Sequence, residues 1–296
     1  MSGKKRLIEK TDLLIIGGIL LLMMIVGSIW DYPISLALYD QSNWFGNLFA
    51  AFGETIAMLG VLFSGITLIL GHNKQKKGIA ALQIIGGCLI VLLGLFGSVI
   101  MPSNYLPFPL YVNALPGIAL SVLVILYAVK LSKTADRATM VRVALTIFVI
   151  ILAEMVFVNI VKIPWGRPRM RLIAEDIGAV FTPWWVPGTT VRDALMASHG
   201  IASDEFKSFP SGHTANGAAA IWLTLLPLLD AKLKDKKRLL LYIGVCWGLL
   251  VALSRIIMGA HFVTDTTVGF AITVLTFLLF TSIMLKDKSL KDAAGG

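Results

Sequence analysis

The sequence predicts an all-α protein, a polytopic bundle of about eight membrane-spanning helices with its N- and C-termini in the cytoplasm. Of its 296 residues, 57% are hydrophobic and only 15% are charged, and the mean hydropathy is +0.82. Because soluble domains carry about 25% charged residues, most of this surface is expected to face lipid. The apolar residues also come in runs of about 20, the length with which an α-helix crosses a bilayer.

These runs follow one another along a single predicted membrane domain, residues 1–296. The eight predicted spans are Leu13–Trp30, Phe45–Leu70, Gly78–Met101, Leu110–Leu131, Val143–Ile163, Gly212–Leu229, Leu239–Met258 and Phe262–Leu285. Residues 1–138 contain the first four spans, and residues 139–285 contain the last four. A polar segment, residues 164–210, separates the fifth span from the sixth. Its tryptophans are compatible with an anchor at the headgroup level or with a lid that contacts substrate.

The basic residues predict which helix ends face the cytoplasm. Most of the 26 lysines and arginines form short clusters at alternate ends of the runs, as in cytoplasmic loops. The clusters are Lys4, Lys5, Arg6 and Lys10; Lys74, Lys76 and Lys77; Lys130, Lys133, Arg137 and Arg142; Lys232, Lys234, Lys236, Lys237 and Arg238; and Lys286, Lys288 and Lys291. The others lie at outer ends: Lys162, Arg167, Arg169, Arg171, Arg192, Lys207 and Arg255. Membrane topology thus explains most of the net charge of +9, and a nucleic-acid partner is not expected.

Three short segments meet at the outer ends of the last four spans, and their chemistry suits a phosphate group. The first closes the fifth span, the second opens the sixth, and the third is the turn between the seventh and eighth. Arginine presents a planar fork that matches two phosphate oxygens, and a helix start offers free backbone N–H groups to an anion. The predicted phosphate-binding residues are Lys162, Arg169, Ser211, Gly212 and Arg255, with Arg167 as a further candidate.

Two histidines in these segments predict covalent catalysis. His261 and Asp265 are four residues apart, so they share one face if a helix begins there. An aspartate on one ring nitrogen of His261 would fix its tautomer and leave the other nitrogen to attack phosphorus. His213 would then protonate the departing alkoxide as general acid. The expected reaction passes through a phosphohistidine that water hydrolyses, and it needs no metal and no cofactor.

The three segments resemble the signature motifs of the type 2 phosphatidic acid phosphatase superfamily: Lys-x6-Arg-Pro, Pro-Ser-Gly-His and Ser-Arg-x5-His-x3-Asp. The second motif is matched by residues 210–213 and the third by residues 254–265, both in full. In the first, Lys162 and Arg169 match, while Met170 stands where the family has proline. The resemblance implies a core of six helices, to which this sequence adds a pair of helices. It also implies that the histidine of the third motif is the nucleophile and that the histidine of the second motif is the acid.

The expected function is therefore dephosphorylation of a lipid phosphate or pyrophosphate, on the outer or periplasmic face of the plasma membrane. Candidate substrates are undecaprenyl pyrophosphate, phosphatidylglycerol phosphate and phosphatidic acid, so the expected partners are a phospholipid or polyprenyl phosphate and membrane lipid. Two alternatives stay open. The phosphohistidine could pass its phosphate to another acceptor, as in a lipid phosphotransferase, or the basic cluster could belong to an anion-binding transporter.

Other charged residues near these segments are interpreted structurally. Arg167 and Arg171 are expected to contact the surface or lipid headgroups rather than the reacting group. Glu54 and Glu154 lie within apolar runs, and a buried acid normally needs a partner. The preferred interpretation of each is a structural ion pair.

Overall fold

The computed structural model describes residues 7–285, and no β-strand occurs over that range. The basic residues Lys4, Lys5, Arg6, Lys286, Lys288 and Lys291, and the two ends of the predicted 1–296 domain, lie outside the described residues. The α-helices are α1 (Lys10–Leu38), α2 (Trp44–Phe52), α3 (Thr55–Leu70), α4 (Lys77–Val99), α5 (Leu110–Leu131), α6 (Arg137–Trp165), α7 (Met170–Ile173), α8 (Thr189–His199), α9 (Gly212–Ala218), α10 (Lys237–Ile257) and α11 (Val263–Met284). Short 3-10 helices cover Met101–Asn104, Ser203–Phe206, Ala219–Leu228 and Ala231–Lys236.

Seven helical segments of the described chain are long and apolar enough to cross a bilayer. The break between α2 and α3 is short enough for the two to form one of them. The predicted sixth span, Gly212–Leu229, consists of α9 followed directly by the 3-10 helix Ala219–Leu228, and it is largely buried inside the bundle. The all-α polytopic bundle is confirmed, and the number of spans stays a prediction.

The centre of the bundle is formed by helices whose residues are buried on nearly every side. α9 packs against α6, α10 and α11, and α3 packs against α4, α5 and α6. Glycine allows α10 to approach α9 closely, since a Cβ at Gly248 of α10 would lie only 2.8 Å from the Cα of Ala218 in α9. Small residues bring helices together in this way in membranes. By contrast, α1, α4 and α5 keep most of their apolar side chains exposed, as lipid-facing helices do.

Polar side chains gather at two opposite ends of the bundle. At the basic end, where α1 and α10 begin, Asp12 accepts hydrogen bonds from Arg238 Nε at 3.0 Å and from the Tyr242 hydroxyl at 2.8 Å. At the site end, α6 and α10 finish while α9 and α11 begin, so all three motifs meet there. This separation follows the charge pattern of the sequence. Which end faces the cytoplasm stays a prediction.

The polar segment expected between Pro164 and Pro210 begins slightly later, because α6 continues through Pro164 to Trp165. Gly166 then turns the chain with a φ of +69°, a conformation that favours glycine. The segment contains α7, α8 and the 3-10 helix Ser203–Phe206, which pack around a small apolar core of Leu172, Leu195 and Phe206. It is thus a folded cap on the site end rather than a structureless loop.

Candidate functional site

His261 lies in the tight turn between α10 and α11. Its backbone N–H and that of Ala260 donate to the carbonyl of Arg255, at 3.2 and 3.0 Å. Gly259 makes the turn possible with a φ of +62°, and a Cβ there would also clash with the ring of Tyr39. The turn therefore fixes the third motif's arginine and histidine relative to each other before any ligand binds.

The ring of His261 is held by a backbone carbonyl rather than by Asp265. Its Nδ1 is hydrogen-bonded to the carbonyl oxygen of Ser208, whereas Asp265 Oδ2 lies 3.9 Å away. The expected direct Asp265–ring bond is therefore wrong in this structure. Since a carbonyl only accepts, Nδ1 carries the proton and Nε2 keeps its lone pair. The tautomer is thus fixed by the Ser208 carbonyl, whereas the spacing had predicted that Asp265 would fix it. The role of His261 as nucleophile stays a prediction.

Asp265 instead holds in place the segment that contains Ser208. Its Oδ2 accepts from Ser208 Oγ at 2.6 Å and from the backbone N–H of Phe262 at 2.8 Å, and its Oδ1 is bonded to Arg167. The same carboxylate thereby holds Ser208 next to the ring of His261 and caps the start of α11. Asp265 positions His261 through Ser208.

Arg167 is an internal structural cation, so the expectation that it contacts the surface or headgroups is wrong. Its side chain is 0% exposed and bridges Asp31 of α1 and Asp265 of α11. Its Nε donates to the carbonyl of Thr182 at 2.8 Å, and its guanidinium lies 4.3 Å from the centroid of the Phe262 ring. All three nitrogens are thus bonded to protein, which favours Arg169 as the first motif's phosphate contact.

Asp31 reaches Arg167 because α1 is kinked beside it. Trp30 has non-helical backbone angles, and Pro33 lacks the N–H that would continue the helix. Both oxygens of Asp31 are used, since Oδ1 accepts from the backbone N–H of Thr264 at 3.0 Å and Oδ2 from Arg167 Nη2 at 2.9 Å. Sequence reasoning missed Asp31, although an acid inside an apolar run is a signal of function or pairing.

The remaining cations of the site are buried without full compensation. Arg255 is 3% exposed, and its Nε and Nη1 have no hydrogen-bond partner anywhere in residues 7–285. Arg169 pairs with Asp204 at 2.9 Å, but its buried Nε is likewise unpartnered in the described chain. The ammonium of Lys162 lies next to the second motif, 3.7 Å from where a Cβ at Gly212 would be.

The charges of these three cations change the titration of His261. The pKa of His261 is lowered well below its usual value, first by burial and then by the positive charges of Lys162, Arg169 and Arg255. A histidine with a depressed pKa is neutral above that pKa, so the imidazole is uncharged at neutral pH. An uncharged imidazole, protonated on Nδ1 alone, thus lies near three positive charges.

The second motif places His213 at the start of α9, beside this cluster. The Ser211 hydroxyl caps the helix by accepting from the backbone N–H of Thr214 at 3.3 Å, and the N–H of Ser211 donates to the carbonyl of Asp265 at 2.9 Å. His213 Nε2 is hydrogen-bonded to the Tyr105 hydroxyl at 2.8 Å. Its Nδ1 lies 3.6 Å from Glu54 Oε1.

The two buried acids differ in their surroundings. Glu54 accepts a hydrogen bond from Asn216 at 2.9 Å and faces His213, so it belongs to the site. Glu154 is 1% exposed, and its Oε1 accepts no hydrogen bond from the described residues. The expected structural ion pair of Glu154 is therefore not found among residues 7–285.

Several contacts at this site were beyond sequence reasoning. The Ser208 carbonyl carries no side-chain signal, and Tyr105 lies far from the motifs in sequence, after the 3-10 helix Met101–Asn104.

Among the described residues, no group of three or more His, Cys, Asp or Glu side chains is placed to hold a metal ion.

Comparison with known proteins agrees with this geometry. The family model described as "PAP2 superfamily" matches residues 143–289, which contain all three motifs. Phosphatidylglycerophosphatase B of Bacillus subtilis (strain 168) is 41% identical over 91 residues, which are 29% of this chain and 43% of that protein. The match thus spans less than half the length of this curated relative. No solved structure matches the chain significantly.

The contrast between Arg167 and Arg169 can be tested by replacing each with alanine. Arg167→Ala leaves Asp31 and Asp265 as uncompensated buried charges and is expected to lower the free energy of unfolding by about 3–5 kcal/mol. Arg169→Ala is expected to keep the wild-type melting temperature and to bind orthophosphate about tenfold more weakly.

The measurements are thermal unfolding in detergent and phosphate titration. Arg192→Ala is the control, because Arg192 forms an ion pair with its exposed neighbour Asp193. An Arg167→Ala protein as stable as wild type would contradict the structural assignment of Arg167.

Proposed function

Since residues 143–289 make this chain a member of the PAP2 superfamily, we propose that it removes phosphate from a lipid phosphate or diphosphate through a phosphohistidine on His261. The single observation that carries this proposal is the carbonyl-held imidazole of His261 beside cations whose buried guanidinium nitrogens are incompletely paired among the described residues. A phosphate ester is the ligand that such a cluster would neutralise while its phosphorus faces Nε2.

The first step of the proposed reaction is attack of His261 Nε2 on phosphorus. The P–O bond to the lipid breaks, and the departing oxygen takes a proton delivered by His213. The proton stays on Nδ1 and is donated in a hydrogen bond to the Ser208 carbonyl. Positive charge that develops on the imidazole is therefore stabilised by this carbonyl and by Asp265, which holds Ser208. In the second step, water attacks the phosphohistidine, returns a proton to His213, and orthophosphate leaves.

Most of the rate enhancement is assigned to the cations. Lys162, Arg169 and Arg255 would bind the non-bridging phosphate oxygens, whose charge is redistributed in the transition state. The buried surroundings strengthen each interaction, because little water competes for the charges. Removing one such preorganised donor is expected to cost about 10²–10³ in kcat. Ser211 and Gly212 are proposed to shape the same pocket at the start of α9.

The substrate is proposed to be a phospholipid, with phosphatidylglycerol phosphate first in the order of testing because of the relative's name. The site end lies where α6 and α10 finish, at the boundary that a lipid headgroup occupies. A substrate could therefore keep its tails in the bilayer while its phosphate enters the cluster. Undecaprenyl pyrophosphate and phosphatidic acid complete the panel.

Replacing His261 with alanine tests the nucleophile. His261→Ala is expected to lower phosphate release by about 10³-fold or more, as loss of a covalent nucleophile does elsewhere, with an unchanged melting temperature. His199→Ala, on the exposed face of the cap, should behave as wild type.

The measurement is orthophosphate release from the lipid panel by purified protein, followed by trapping of ³²P on the enzyme. A labelled, acid-labile and base-stable adduct is expected with wild type and not with His261→Ala. A His261→Ala protein that still releases phosphate would remove the phosphohistidine from the account. Phosphorylated lipid acceptor in place of free phosphate would indicate a transferase instead.

We further propose that the site end faces outward, because the lysine and arginine clusters lie at the other end. In a Cys88→Ser, Cys246→Ser background, Ser203→Cys in the cap should react with a membrane-impermeant thiol reagent on intact cells. Thr134→Cys, in the turn between α5 and α6, should react only after permeabilisation. The opposite labelling pattern would place the site in the cytoplasm.

A further inference from the structure

Tyr105 is placed at the reacting end of the general acid, although it lies outside the region matched by the family. It follows the 3-10 helix Met101–Asn104 at the site end of α4. Its hydroxyl is 2.8 Å from His213 Nε2, and the two rings meet edge to face, with centroids 5.5 Å apart. The guanidinium of Arg255 lies 5.6 Å from the centroid of its ring. The phenol thus lies next to both His213 and Arg255.

Glu54 occupies the other nitrogen of the same imidazole. Its Oε1 is 3.6 Å from His213 Nδ1 and is held there by the side-chain amide of Asn216, at 2.9 Å. A carboxylate on one side of an imidazole favours a proton on the nitrogen that faces it. His213 can therefore exchange its other proton only through Nε2, and the Tyr105 hydroxyl occupies that position.

We propose that Tyr105 relays the proton from His213 to the leaving group, and that Glu54 positions His213 for this transfer. The inference rests on the proposed phosphatase reaction. As the P–O bond breaks, the lipid oxygen takes the Tyr105 hydroxyl proton while the phenolic oxygen takes the proton of His213 Nε2. This step starts from the doubly protonated imidazolium of His213, a form that the negative charge of a bound phosphate favours. His213 then becomes neutral and Tyr105 ends as it began. Hydrolysis of the phosphohistidine runs the relay in reverse, with water as the proton source.

The surroundings of Tyr105 suit a relay rather than a permanent anion. Burial raises the pKa of the Tyr105 phenol above its usual value, so the hydroxyl is protonated when substrate arrives. A phenol can accept one proton and donate another in the same event, which a simple positioning residue does not need to do. The N-terminal helices α3 and α4 would thereby supply catalytic chemistry to the core of residues 143–289.

The dependence of rate on the leaving group separates a proton relay from a structural role. An alkyl phosphate releases a basic alkoxide that needs a proton, whereas a 4-nitrophenyl phosphate with the same alkyl tail releases a stable anion. Tyr105→Phe keeps the ring and removes only the hydroxyl. It is expected to lower kcat on the alkyl ester by about 10²-fold or more, and on the aryl ester by less than about threefold. Tyr111→Phe, on the exposed face of α5, is the matched control and should change neither.

Glu54→Gln should show the same pattern more weakly, about tenfold on the alkyl ester only. Glu154→Gln, the same change at a buried acid of α6, should leave the ratio of kcat on the alkyl ester to kcat on the aryl ester unchanged.

Equal losses of kcat in the Tyr105→Phe protein on both esters, or no loss on the alkyl ester, would overturn the relay. Failure of wild-type protein to release phosphate from either ester would remove the proposed function itself.

Discussion

The site depends on buried positive charge that the described residues do not fully neutralise. Arg255 is almost fully buried, with two of its three guanidinium nitrogens unpartnered among residues 7–285, and Arg169 has one such nitrogen. Taking a charge out of water costs several kcal/mol unless a counter-charge compensates it. A phosphate group would provide that counter-charge at the moment of binding. The free energy lost on folding the cations into the site is thus available to bind the ligand.

Arg167, two residues before Arg169 in the sequence, is by contrast fully paired. Asp31 and Asp265 neutralise it, and two aromatic rings cover it, so it contributes to the fold instead of the ligand. This ion network joins α1, the cap and α11, and it holds Asp265 in the position from which Ser208 is fixed. Ser208 in turn fixes the tautomer of His261. The first motif therefore uses Arg167 for architecture, and Arg169 is the arginine that we propose to bind phosphate.

The sequence was sufficient for the features that depend on residue type and periodicity. The apolar runs predicted the helical bundle, and the spacing within three motifs predicted that their side chains would meet at one end. It was insufficient where contacts depend on tertiary geometry. The partner of His261 Nδ1 is a backbone carbonyl, which has no residue signature, and Tyr105 reaches His213 across 108 positions of chain. Arg167 and Arg169 are both arginines in one motif, and they differ in their partners, which lie far from Arg167 in sequence but within the cap for Arg169.

The central claim is that the buried cations and His261 together bind a phosphoryl group in its transition-state geometry. The most direct measurement is a structure of the protein with vanadate, which adopts five-coordinate geometry when a protein nitrogen binds it. The account predicts vanadium bonded to His261 Nε2, with its oxygens contacted by Lys162, Arg169 and Arg255. Vanadate bonded to His213, or bound away from these three cations, would contradict it.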